Sequence, residues 1–527
     1  MDIFSLEDME LEKNIQHHDK ILKERKGSDN LIVADLLRFR SGILNQDWKF
    51  LIRTFLTING ESLAIALSIL GPIMVHLAGF VCMNILQDKD MQAAFGIFES
   101  FIMIFFSTVI ISFVDKLGMD MSKAFGKQDF KLFRISFVRG CVACALIFLL
   151  FCVPSVLIGA DLLELIGVSQ QIGNFCNMAF RWFLPNMVLQ ATFEVFKTAC
   201  MSQGHEVIFG VVGLASASIA FALTYVLMVV YELGFLGWVA AMTFFNLINL
   251  ATALVISARL EKGSIGLISS SELTTGFLSF FCESIKFCFS TYSELIGLEI
   301  VVIYVARTHD NDQIAALAGM MNFVTIIYTI GVSYSIIFRT RVNTLLGMEE
   351  KQAAKNIFRF FYMSEITIAV TLGIIVFFFR ENLANVYSST IIESKDEFMK
   401  LAIIYSLSFP SEVTNYTIAA GMKANGLVNF IVYLNFALMV VVNTIVNDLL
   451  SGIPVRAWAH FSTLFIIMYM ISICMSTILF MIEWRVGNVD NEEPDTKNHL
   501  NYERLDTDRP STVYYKSRSR MDISPVL

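Results

Sequence analysis

The sequence predicts an all-α polytopic membrane protein, with twelve transmembrane helices in two pseudo-symmetric six-helix lobes around a central cavity. Three observations carry that fold class. Only 16% of the 527 residues are charged while 55% are hydrophobic, whereas soluble domains carry about 25% charge. The charge gathers in residues 1–60, in the last stretch after 484 and in a few short loops, which leaves apolar runs of membrane-spanning length between them. The two halves of the chain also repeat the same punctuation. The runs are continuous rather than alternating, which argues against a β-barrel.

The spans read as 62–86, 93–115, 136–159, 172–197, 207–231, 234–258, 279–306, 314–338, 357–379, 398–421, 427–447 and 459–484. This divides the chain into an N-terminal tail (1–61), a first lobe of six spans (62–260), a second lobe of six (261–485) and a C-terminal tail (486–527). The amino-terminal segment is highly charged and has no apolar core of its own, so it does not read as a cleavable signal. The last segment is polar and poor in branched apolar residues, which predicts disorder. Within it, "YERL" has the form of a tyrosine-based sorting signal, read through Tyr502 and Leu505. The stretch "ENLANVYSSTIIESKDEF" reads as a long loop between spans nine and ten.

Basic residues set the expected orientation. Lys116, Lys123, Lys127, Lys131 and Arg134 follow span two, and Arg339, Arg341, Lys351 and Lys355 follow span eight. The loops after spans three and five have no lysine or arginine. Both termini are then expected in the cytoplasm, in a plasma membrane or an endomembrane vesicle. The net charge of -8 lies mostly in tails and loops, and no basic stripe suggests nucleic acid. The nine cysteines fall in or near apolar runs, at spacings that fit neither a disulfide framework nor a zinc site.

The repeat is visible in the loops. Gly126 in "MSKAFGKQDFKLFR" and Gly347 in "TRVNTLLGMEEKQAAK" hold equivalent places, 221 residues apart. Pro185 precedes "MSQG", and Pro410 precedes "KANG". Two halves in the same orientation indicate a parallel repeat, and transporters commonly hold substrate where such repeats meet.

Span seven poses the sharpest chemical question. "SELIGLEIVVIY" is apolar yet holds Glu294 and Glu299. An ionised side chain at mid-span costs about 2.5–3.5 kcal/mol, and such residues mark proton and ion pathways. Five residues apart, the two glutamates lie about 7.5 Å apart along the axis and about 140° around it. Span ten adds Glu412 beside Pro410, which should free a backbone carbonyl. Tyr328, Tyr334, Asn322 and Asn415 are the expected polar lining of a cavity shared by these spans. Burial raises a carboxyl pKa, so such a group can exchange a proton for a cation as access alternates. Sodium stays open beside the proton as coupling ion, and no other cofactor or metal is expected. Glu365 reads as wetted at the end of span nine. In the first half, Arg181, His76 and Glu99 form a candidate polar site, with Glu99 as a possible partner of Arg181.

These residues resemble the multidrug and toxin extrusion (MATE) family, eukaryotic type, over roughly residues 60–485. The pattern "Y-x12-R-V-x3-L-G" is carried by Tyr328, Arg341, Val342, Leu346 and Gly347, and the loop from Ser122 to Lys131 is similar to the family's loop after its second span. The spacings of Glu294 to Glu299 and of Glu412 to Gly426 match as well. Gly331, Ser333, Gly118, Leu295 and Ile296 depart from the pattern. The resemblance implies an antiporter that exports organic cations or xenobiotics in exchange for protons and is not an enzyme. Glu294 would be the main proton and cation site, supported by Glu299 and Glu412, with Tyr328 lining the cavity. The alternatives are a flippase for a lipid-linked oligosaccharide or other amphiphile, which needs a cationic cavity, and a receptor or scaffold without transport.

Overall fold

The computed structural model describes residues 37–482 except 42, 44–45, 87–94, 96–97, 99–100, 160, 162–169, 309–310 and 388–391. Glu99 and the "YERL" signal therefore lie outside the described residues, as do the side chains of Glu299 and Asn322. Among the described residues every regular element is helical. The principal helices are α1 (Trp48–Leu86), α2 (Thr108–Lys127), α3 (Phe130–Ile147), α4 (Gln170–Met201), α5 (Glu206–Tyr225) and α6 (Phe235–Ser257). They continue with α7 (Phe277–Thr308), α8 (Asn311–Gly347), α9 (Lys351–Tyr387), α10 (Ile392–Ala424), α11 (Val428–Asn435) and α12 (Ala457–Met481).

Several helices run past the apolar core that identifies them. Helix α1 begins at Trp48, and α9 and α10 absorb most of the stretch expected to be a loop, reaching Tyr387 and starting again at Ile392. The reason is that amphipathic and charged turns remain good helix formers once a span has nucleated them. Eight helical segments among the described residues are long and apolar enough to cross a membrane by composition alone. Helices α4, α7 and α10 have 32, 32 and 33 residues. They have the length as well, but charged residues interrupt their apolar runs. They are also the helices that hold Arg181, Glu294 and Glu412.

The repeat seen in the loops extends to helix packing. In the first half α1 packs on α5, α2 on α4, and α4 on α6. In the second half α7 packs on α11, α8 on α10, and α10 on α12, which are the same pairs displaced by six helices. Even the turns repeat. Gln128 and Glu349 both hold left-handed backbone, with φ of 59° and 65°. Gly204 and Gly426, which end "MSQG" and "KANG", do so at 89° and 79°. Only glycine takes that conformation without steric cost, so it closes both helix ends.

The halves meet along α8, which packs on α1 and α2, while α2 also packs on α7. At the crossing of α2 and α8 the repeated glycines face each other's backbone. A Cβ on Gly126 would lie 2.1 Å from the Thr344 carbonyl oxygen, and one on Gly347 would lie 2.2 Å from that of Lys123. The backbones can approach this closely only without side chains there.

Away from this seam each half has its own apolar core. In the first half Trp238 is fully buried among Phe95, Phe98, Phe183 and Phe235, and stacks on Phe183 at 5.3 Å. Three helices pass into π turns, at Phe148–Cys152 after α3, Val226–Val230 after α5 and Phe436–Val442 after α11. The last of these packs against α7. Pro410 lies inside α10, and hydroxyls near it bond the helix backbone: Ser408 donates to the Tyr405 carbonyl and Thr414 to that of Pro410, at 2.8 and 2.6 Å.

Candidate functional site

Helix α2 of the first half and α7, α8 and α10 of the second enclose a cavity where the halves meet. Its polar lining includes Glu294, Tyr328, Tyr416, Lys423 and the pair Asp115–Arg339. Glu294 is held by α11. The Asn435 amide, at the start of the π turn, donates to Glu294 Oε1 at 3.0 Å. Asn443, just after that turn, donates to the Gly297 carbonyl at 2.8 Å. The π turn thus locks α11 to α7 on both sides of the glutamate. A widened turn that re-aims side chains is a frequent feature of functional sites.

Two tyrosines belong to the same lining. Tyr328 and Tyr416 meet edge to face with centroids 5.1 Å apart. Gly331, where the family pattern has proline, makes room for this pair: a Cβ there would lie 2.8 Å from Tyr416 Cδ2. Both hydroxyls lie within electrostatic reach of Glu294 and of Glu412. Glu412 itself is 3% exposed and lies beside Tyr405, outside the cavity. One of its oxygens has no hydrogen-bond partner among the described residues.

Two expected lining residues point elsewhere. Tyr334 is buried and donates its hydroxyl to Asn59 of α1. Asn415 accepts from Ser472 of α12 at 2.9 Å and so ties α10 to α12. Their helical phase, rather than their depth, removes them from the cavity. The expectation for Glu365 is also corrected. It is not wetted but fully buried, at 0% exposure, and it accepts from the Thr417 hydroxyl at 2.5 Å. Tyr334 and Tyr362 lie close enough to feel its charge.

Of the candidate polar site of the first half, Arg181 and His76 are described and Glu99 is not. Arg181 lies exposed on α4 and makes no ion pair among the described residues. His76 packs against Trp238, with rings 5.1 Å apart. The buried charge of the first half stands at the seam instead. Arg341, in the middle of the "R-V-x3-L-G" pattern, donates to Glu61 of α1 at 2.8 Å and to Glu206 of α5 at 2.9 Å. Arg339 pairs with Asp115 of α2. Residue spacing alone does not reveal these partners, nor Asn435 or Lys423. Asn435 left one trace in the sequence, as an amide inside an apolar run.

Comparisons with known proteins agree with this architecture. The MatE family model matches residues 287–449, a segment that includes Glu294, Glu365, Glu412 and Asn435. Among curated proteins no sequence matches the chain. Among solved structures, the eukaryotic MATE transporter AtDTX14 is similar with a TM-score of 0.72 and 19% identity, over 82% of this chain and 96% of that one. The Vibrio cholerae MATE transporter VcmN, in its bent form, gives a TM-score of 0.71 at 12% identity, over 82% and 97%. A MOP superfamily transporter from Pyrococcus furiosus, described as having a binding pocket of reverse polarity, gives 0.70 at 11%, over 80% and 94%. The chain thus contains a MatE domain over residues 287–449 and has, across its described length, the fold of the MATE transporters.

Proposed function

We propose that the protein is a secondary active antiporter that exports organic cations or xenobiotics in exchange for protons by alternating access. The observation that carries this reading is the setting of Glu294. It is a half-buried carboxylate on a cavity wall, with an uncharged amide as its hydrogen-bond partner and Tyr328 and Tyr416 in the lining of the same cavity. Aromatic faces attract organic cations, and a carboxylate without a fixed cationic partner is available to either a proton or a cation. Glu412 is a second protonatable group, and Tyr328 and Tyr416 lie within electrostatic reach of both carboxylates. Each proton entering down its gradient supplies about 1.4 kcal/mol per pH unit and about 2.3 kcal/mol per 100 mV.

The basic loops after α2 and α8 orient this end of the bundle, and both termini, toward the cytoplasm of a plasma membrane or vesicle. The seam of Arg339, Arg341, Gly126 and Gly347 then closes the cytoplasmic side, and alternation opens it. Arg181 is not among the residues that line the Glu294 cavity, so it gives that cavity no support for an anionic, lipid-linked cargo.

The test is uptake of labelled tetraethylammonium into proteoliposomes under imposed pH gradients, comparing wild type with Glu294→Gln. Gradient-driven uptake that disappears in the variant is the expected result. Uptake that survives the substitution, or that follows a sodium gradient instead, would overturn the assignment of Glu294 or of the proton.

A further inference from the structure

The cavity that holds Glu294 also holds a lysine. Lys423 stands next to the end of α10 and is half-buried. Its ammonium lies 5.2 Å from the centre of the Phe287 ring. Among the described residues it is in no ion pair, and Glu294, across the same cavity, is a carboxylate whose charge it feels. The other two charges lining the cavity, Asp115 and Arg339, neutralise each other.

The charge count limits what fits. With Glu294 ionised, the cavity carries one negative and one positive group that are not in contact with each other. A simple monovalent cation satisfies Glu294 and leaves Lys423 as an unopposed positive neighbour, repelled in a space of reduced dielectric. A molecule carrying both signs satisfies both groups and leaves the filled cavity neutral. Phe287 lies seven residues before Glu294, about 10 Å along α7, so the ammonium on its ring and the carboxylate mark two ends of one small site.

We infer that the cavity is built for a small zwitterion, whose ammonium sits at Glu294 against Tyr328 and Tyr416 and whose anionic group is received by Lys423. This rests on the cation-exchange reading above and narrows its substrate class.

The experiment compares labelled carnitine with labelled choline in proteoliposomes of the full chain under a pH gradient. Both have a trimethylammonium head, and only carnitine adds a carboxylate. Wild type should favour carnitine by about tenfold, the scale of one charge-assisted contact. Lys423→Gln should erase that preference from both sides, lowering carnitine uptake and, with the repulsion gone, raising choline uptake. Lys423→Arg should keep the preference, which separates a lost charge from a damaged fold. Equal uptake of the two probes by wild type, or a preference that survives Lys423→Gln, overturns the inference. Tetraethylammonium uptake without carnitine uptake overturns it too, while sparing the parent reading. If Glu294→Gln leaves uptake of both probes intact, the parent reading fails, and the placement of the ammonium at Glu294 fails with it.

Discussion

Among the described residues, two sets of buried carboxylates are held in opposite ways. Glu61 and Glu206, at 9% and 5% exposure, share the guanidinium of Arg341 where the halves meet. Glu365 and Glu412, at 0% and 3%, lie inside the second half with hydroxyl neighbours and no ion pair among the described residues. Arginine is always charged and serves only the carboxylate anion. A hydroxyl can donate or accept, so it serves a carboxyl in either protonation state. The first arrangement fixes charge and joins helices. The second leaves a group free to change its proton. Burial alone therefore does not mark a proton site; the kind of partner does.

The most severe way to break this contrast is Arg341→Met. It leaves two carboxylates buried together without their cation, a loss of about 3–5 kcal/mol. Thermal unfolding in detergent should show a large drop in midpoint, and adding Glu61→Gln and Glu206→Gln should recover part of it. An unchanged midpoint would mean that the triad does not hold the seam. Gly347→Ala should follow, at about 1–3 kcal/mol, because its Cβ meets backbone rather than a flexible side chain. If Gly347→Ala is as stable as wild type, the α2–α8 crossing is looser than described.

A paired comparison sharpens the difference further. Glu206→Gln weakens a charge-assisted contact and should cost about 1.5–3 kcal/mol, whereas Glu365→Gln keeps an acceptor for Thr417 and should stay within about 1 kcal/mol. Equal losses would place Glu365 with the fixed charges and erase the distinction. The smallest effect belongs to a carboxylate outside the membrane. Glu272, in the connection between α6 and α7, bonds Lys131 and the Ser269 backbone, and these hold its pKa down at about 2 against 4.5. A depressed carboxyl pKa contributes stability that is present above pH 4.5 and is lost as pH falls toward 2. Glu272→Gln should therefore lower the unfolding midpoint slightly at neutral pH, and the gap to wild type should close in that acid window. A gap that widens on acidification would have the wrong sign.

How much was legible in advance depended on what each residue contrasts with. Glu294 and Glu412 stood out because a charge in an apolar run is conspicuous wherever its side chain points. Glu365 was misjudged because it sits near charged turns, and its exposure depends on α10 covering it with Thr417. Tyr334 and Asn415 bond α1 and α12 and are not among the residues that line the cavity. Arg341 was visible as part of a pattern, yet its partners lie 280 and 135 residues away.

The sequence by itself determined the helical membrane architecture, the parallel repeat and the carboxylates of spans seven and ten. Lipid offers no partner for a bare backbone, so it demands long apolar helices, and those leave a one-dimensional record. Only the tertiary structure decided which carboxylates are paired, that Asn435 holds Glu294, that Lys423 shares its cavity, and that Gly126 and Gly347 let the halves touch. Such choices depend on the rotation of one helix against another. That angle is set by side-chain packing between distant segments, and no single run of residues records it.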